Sequence, residues 1–161
     1  MGGPGSGRWA WHGSKTTVQE CLRLDVNQLI REGVFKQAYS GPIHWTRTST
    51  GETIASAWIG LESTEGNRLS LRLRYTVGVG ENQTGVDEEI PLQLTCPHLG
   101  GVRYWFTCPL TRGYSPCGRR VAKLHLPPGG IYFRCRHCYD LTYESCRRSH
   151  AFDRLFRILS R

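Results

Sequence analysis

From Arg68 to Val77 apolar and polar residues alternate without a break. Leu69, Leu71, Leu73, Tyr75 and Val77 take one set of positions; Arg68, Arg72 and Arg74 fall in the other. A period of two sends each set to one face of a strand, so a half-buried strand is predicted over 68–77, with a row of arginines on its outer side. Shorter runs of the same kind predict strands over 42–47, 53–61, 88–95 and 102–107. Ser49-Thr50-Gly51 and Glu65-Gly66-Asn67 supply turns between them, and a Gly/Asn-rich loop spans 78–85. Further along, 121–126 and 131–134 read as two strands joined by the turn Pro127-Pro128-Gly129-Gly130.

Two segments change period. Leu22, Val26, Leu29 and Ile30 fall at helical spacing, which predicts helix within 16–33. Thr17 and Glu20 match a capping box, Asp25 offers a second cap and Gly33 a stop, so the reading is two short helices with a turn near Asp25. A helix-turn-helix fits that layout, and so does any packed helical pair. At the other end 139–161 reads as helix. Phe152, Leu155, Phe156 and Leu159 make one face, and Arg147, His150, Arg154, Arg157 and Arg161 a stripe nearly opposite. The expected fold class is α+β: short N-terminal helices, an antiparallel β-sheet, a four-cysteine zinc ribbon and a basic amphipathic C-terminal helix. The expected divisions are a flexible Gly-rich arm over 1–14, an α+β domain over 15–100, the ribbon over 101–138 and the basic helix over 139–161.

Composition adds constraints. The chain has 161 residues, 39% apolar and 21% charged, which suits one domain or one domain with a small module. No apolar run approaches the ~20 residues a membrane span needs. The start, Met1-Gly2-Gly3-Pro4-Gly5-Ser6-Gly7-Arg8, lacks the apolar stretch of a secretion signal, so a cytoplasmic protein is expected. The net charge of +8 points to an anionic partner, nucleic acid first, with DNA and RNA both open.

The seven cysteines are an odd number, and a reducing compartment argues against a disulfide framework. Close spacing points to metal instead. Cys108 and Cys117 precede the 121–134 hairpin, and Cys135-Arg136-His137-Cys138 follows it. The hairpin brings the two pairs together, the layout of a zinc ribbon holding one structural Zn²⁺ through Cys108, Cys117, Cys135 and Cys138. Gly118 suits a tight knuckle after Cys117. The eight residues between Cys108 and Cys117 form a wider first pair than usual and are expected to loop out. Cys96 and His98 are the rival ligands, while Cys21 and Cys146 read as core or surface thiols. A catalytic zinc would need an open position and a nearby base, and no H-x-E or HExxH element occurs. Asp87, Glu88 and Glu89 read as a solvated strand start. No catalytic residues are expected.

One resemblance bears on context. Cys117-Gly118-Arg119-Arg120-Val121-Ala122-Lys123-Leu124 and the later Tyr132-Phe133-x-Cys135-Arg136-His137-Cys138-Tyr139-Asp140-Leu141-Thr142-Tyr143-Glu144-Ser145 are joined by the Gly-rich start and by Leu24-Asp25-Val26-x-x-Leu29-x-Arg31-Glu32-Gly33. Together these resemble a family of small, uncharacterised bacterial and phage proteins. The resemblance implies a bacterial, mobile-element setting and no particular activity. The expected function is therefore non-enzymatic nucleic-acid binding. Phosphate contacts are expected from Arg119, Arg120, Lys123, Arg134, Arg136, Arg147, Arg154 and Arg157, and base stacking from Trp105, Tyr132, Trp9 or Trp11. The alternative is a protein–protein adaptor that offers the ribbon or a sheet edge to a partner such as the transcription machinery.

Overall fold

Strands predicted from period-two alternation form the frame of the computed structural model, which describes residues 15–36, 39–64, 68–78, 80–112 and 115–146. Strands β2 (Ser40–Thr46), β3 (Thr53–Thr64), β4 (Arg68–Val77) and β5 (Thr84–Thr95) follow one another as an antiparallel meander. β6 (Arg103–Thr107) and β9 (Arg120–Val121) extend it to six strands in the order β2-β3-β4-β5-β6-β9. β5 pairs with β4 through Thr84–Pro91 and with β6 through Leu92–Thr95, so the sheet runs continuously past residue 100. Its inner face carries Ile43, Ala57, Ile59, Leu71, Leu73, Ile90, Leu92 and Phe106, all buried.

The inner face is covered from both ends of the chain. β1 (Leu22–Asp25) pairs antiparallel with β10 (Lys123–Leu126), Leu24 opposite Leu124 and both buried. The helix α1 (Val26–Arg31) follows at once and buries Val26 and Leu29. Asp25 caps it, accepting a hydrogen bond from the Asn27 N–H at 3.0 Å. Gly33 ends it in the left-handed region at φ +80°, where a glycine meets no Cβ penalty.

The structure corrects the expected fold class. The chain is mostly β, about half strand and 12% helical, so it is not an α+β assembly with flanking helices. The Thr17–Glu20 box exists, with the Thr17 N–H on Glu20 Oε2 at 3.2 Å, but it caps a single 3₁₀ turn over Val18–Glu20. Leu22 to Asp25 is strand because β10 offers an edge whose ladder outweighs local helical preference. With a strand in place of the first helix, there is no helix-turn-helix here.

Among the described residues the expected basic amphipathic C-terminal helix is not found over 139–143. Asp140 sits at φ +49°, Leu141 is buried, and the Thr142 N–H bonds to Thr16 O at 3.1 Å as Thr142 bridges Thr17. Those tertiary bonds hold 139–143 out of a helix, and a helical turn begins only at Glu144. Arg147, His150, Phe152, Arg154, Leu155, Phe156, Arg157, Leu159 and Arg161 lie outside the described residues, as does the arm 1–14 with Trp9 and Trp11. The return strand expected over 131–134 is reduced to one bridge between His125 and Arg134, on the edge of β10 away from β1. No helix among the described residues is long and apolar enough to cross a membrane.

Candidate metal centre and the basic face beside it

The four sulfurs of Cys108, Cys117, Cys135 and Cys138 lie within 4.8 Å of one another, the one such cluster among the described residues. Sγ–Sγ distances are 3.8 Å for Cys108–Cys138, 3.9 Å for Cys117–Cys135 and 3.4 Å for Cys135–Cys138. Four thiolates about 2.3 Å from one tetrahedral ion stand about 3.8 Å apart, so the cluster has the size a metal requires. Four free thiols crowded this closely in a core gain little otherwise.

Each ligand is placed by backbone. Cys108 directly follows β6, and its N–H bonds to Arg119 O at 2.9 Å, which ties it to the knuckle after Cys117. The insert between Cys108 and Cys117 does not loop out freely. It forms a hairpin of β7 (Thr111–Arg112) and β8 (Ser115–Pro116), closed by the Cys117 N–H on Leu110 O at 2.7 Å. The wide first pair is thus a small hairpin carried on a knuckle, and Gly118 turns the chain at φ +56°. On the second limb the Cys138 N–H bonds to Cys135 O at 3.0 Å, which forms the tight turn.

The electrostatics suit bound thiolates. The Cys135 N–H points at Cys108 Sγ at 3.4 Å, and the backbone N–H of Leu110 also faces that sulfur. Burial still pushes the Cys108 thiol up, and burial with its thiol neighbours pushes Cys138 up further. Burial also acts to raise Cys117, but the Arg119 N–H and the three neighbouring thiols outweigh it and bring Cys117 down to about 7. A cation among these sulfurs would replace the protons that burial otherwise retains.

Cys108 and Cys135 are fully buried and belong to the main core; Cys117 and Cys138 lie at its edge. The rivals Cys96 and His98 are exposed on the turn between β5 and β6 and take no part in the cluster. His137 is exposed within the tight turn. Cys21 is half-buried, with its thiol on Thr17 O at 3.3 Å, and Cys146 is exposed.

Glu88 is the residue that sequence reasoning missed. It is buried and accepts from the Phe133 N–H at 3.0 Å, from the Tyr75 hydroxyl at 3.1 Å and from Arg134 Nη1. It therefore holds the segment that leads into Cys135. Burial, then the Glu88 charge, pushes the Tyr75 phenol far above its usual range. The signal was present: Glu88 is in phase with Val86, Ile90 and Leu92, the buried positions of β5. A carboxylate on the apolar period faces inward and needs a buried cation or N–H donors.

Of the expected phosphate contacts, the structure separates two from three. Arg134 is taken by Glu88, Lys123 lies 3.6 Å from Asp25, and Arg136 rests on the Tyr143 ring at 5.2 Å and on Leu141 O. Arg119 and Arg120 are exposed beside the metal cluster and meet no carboxylate among the described residues. Arg120 lies 5.4 Å from the centre of the Trp105 ring, and Arg103 reaches the same ring at 4.4 Å. Trp105 Nε1 donates to Thr95 Oγ1 at 3.0 Å, which fixes the indole on the outer sheet face. Tyr132 is half exposed under the Arg134 guanidinium at 4.9 Å. Comparison with family models, with curated proteins and with solved structures returned no match.

Proposed function

We propose that the cluster holds one structural Zn²⁺ and that the chain is a non-enzymatic nucleic-acid-binding protein. Four thiolates and no open position suit a closed site, and Zn²⁺ takes such a set without redox chemistry. The nucleic-acid reading is carried by one observation: Arg103 and Arg120 lie against Trp105 at the β6–β9 end of the sheet, with Arg119 next to Arg120 in the chain, all three exposed and without carboxylate partners among the described residues. Guanidiniums fixed on a ring and left unpaired match phosphate better than they serve the fold. The metal acts as a brace here, since Cys108 and Cys117 end the segments that carry Trp105 and lead to Arg119 and Arg120. The edge strand β2 carries Pro42, which removes a ladder donor and makes that edge a poor template for an added strand.

Elemental analysis of the purified chain should return about one equivalent of zinc; another metal, or far less than one equivalent, contradicts the assignment. For the partner, anisotropy of a labelled mixed-sequence oligonucleotide is followed from 50 to 200 mM salt. Binding should weaken steadily as salt rises, and Arg119→Ala with Arg120→Ala should flatten the log–log slope by roughly 0.7–0.9 per lost phosphate contact. No binding at the lowest salt is the result that defeats the reading.

A further inference from the structure

Register places a second aromatic site on the face that carries Trp105. Residues paired directly across antiparallel strands share a face. Trp58 pairs with Arg74, and Arg74 with Asp87; on β5 the same parity runs through Glu89 and Pro91 to Gln93, which pairs with Trp105. Trp58 and Trp105 therefore lie on the same, outer face of one continuous sheet. The alternation that buries Leu71 and Leu73 leaves this face to the arginine row with the carboxylates Glu62, Asp87 and Glu89, to Trp58 and to Trp105.

The surface around Trp58 is hollowed. A concavity of about 450 Å³ opens on β2, β3 and β4, lined by Pro42, His44, Ile54, Ser56, Trp58 and Arg74. Trp58 is 49% exposed, and its Nε1 donates to Ser40 Oγ at 2.9 Å, which fixes the ring while leaving much of it open to solvent. Arg74 flanks it, 60% exposed, and shares Asp87 with Arg72, which holds that carboxylate through two bonds. The hollow thus offers a fixed ring for a base and, beside it, His44 and the exposed guanidinium of Arg74, whose Nε is bonded to Asp87 and whose outer nitrogens face solvent as the contact for a phosphate. It has room for one nucleotide.

We infer that the nucleic acid is single-stranded and that it lies over the outer sheet face, stacking a base on Trp58 in this hollow while its phosphates meet Arg103, Arg119 and Arg120. The inference rests on the nucleic-acid reading above and adds the strandedness and a second contact point. A duplex hides its base faces, whereas a single strand presents them to an exposed ring. Duplex readers send a helix or a two-stranded ribbon into the major groove. Among the described residues, α1 has six residues and turns Val26 and Leu29 into the core, and the β7–β8 hairpin has two residues per strand. Neither is built to fill a groove about 12 Å wide.

The test compares a labelled 12-nucleotide single strand with its duplex, using the zinc-loaded full chain and three variants. The single strand should bind at least about tenfold more tightly than the duplex. Trp58→Ala should weaken single-strand binding by roughly 5- to 150-fold, the range expected for one base–aromatic stack, and leave duplex binding unchanged. Trp58→Phe should recover most of the loss, which separates stacking from damage to the fold; circular dichroism checks the fold of each variant. Duplex binding equal to or tighter than single-strand binding, with Trp58→Ala neutral, overturns the inference. If Arg119→Ala with Arg120→Ala still weakens binding in that case, the broader nucleic-acid reading stands. Failure of both oligonucleotides to bind overturns both.

Discussion

Glu88 gives up water for three bonds, and two of them lead to the limb that carries Cys135 and Cys138. A buried ion pair is costly to break from one side, because the partner left behind is a desolvated charge. Glu88→Ala should lower the unfolding free energy by about 3–5 kcal/mol, measured by denaturant titration. Glu88→Gln keeps an acceptor for the Phe133 N–H and should cost less. It should still weaken metal affinity by about 10–100-fold in a chelator competition, as the loss of an outer partner does at other metal sites. An unchanged affinity would limit Glu88 to folding alone. His125 is a second buried polar group. It lies between Leu124 and Leu126 with Nδ1 unpartnered, and burial, then Arg23, Lys123 and Arg136, lowers its pKa from 6.5 to about 4. Below about pH 6.5 the unfolded chain takes up this proton before the folded chain does. Stability should therefore fall as pH drops from about 6.5 towards 4, by about 3 kcal/mol over that window, and then level off. Thiolate protonation acts in the same direction, so the measurement is the difference in pH slope between the protein and its His125→Gln variant. Parallel slopes would remove His125 as a cause.

At the scale of elements, β2 to β6 were legible because strict alternation is a local signal, and nothing else in the chain competes for those residues. Arg68–Val77 matches its expected bounds, and Leu71 and Leu73 are fully buried. The four cysteines were legible because metal chemistry restricts residue type and spacing, whatever the surrounding fold. The misread elements depend on distant partners. Leu22 passes for part of a helical stripe until β10 is known to lie beside it, and Thr142 passes for helix until Thr16 and Val18 bond to it. The insert hairpin β7–β8 is set by closure around Cys108 and Cys117 rather than by alternation. Its knuckle gives a direct test. A Cβ at Gly118 would meet no atom within 4 Å, so any cost of Gly118→Ala comes from φ +56° alone. Thermal denaturation should show a loss of about 1–2 kcal/mol for Gly118→Ala. Gly118→Asn should lose less, because asparagine adopts the left-handed region more readily. Equal losses would place the cause elsewhere.

For the whole molecule, Cys108 and Cys135 sit in the same core as Leu71 and Ile90, so the four-cysteine cluster is continuous with the main packing rather than with a detachable module. Removal of the ion should therefore loosen more than the knuckles. Hydrogen exchange after chelation should show faster exchange in β9, β10, 133–141 and β1, whose partner is β10. β3 and β4, paired on both edges, should change least. Uniform change, or none outside 108–118 and 135–138, would contradict this coupling. Synthesis gives the β1–β10 pair a further meaning. Leu22 meets Leu126 across about 100 residues, which take on the order of 5–20 s to emerge from a ribosome. Through that interval the first strand has no partner, and the sheet that precedes Cys108 has an uncovered apolar side. The last cysteines then arrive with the segment that covers it. A nascent chain stalled before Cys135 should be a client for chaperones, and with the proposed ion in place, completion of the fold would wait on metal supply once Cys135 and Cys138 have emerged.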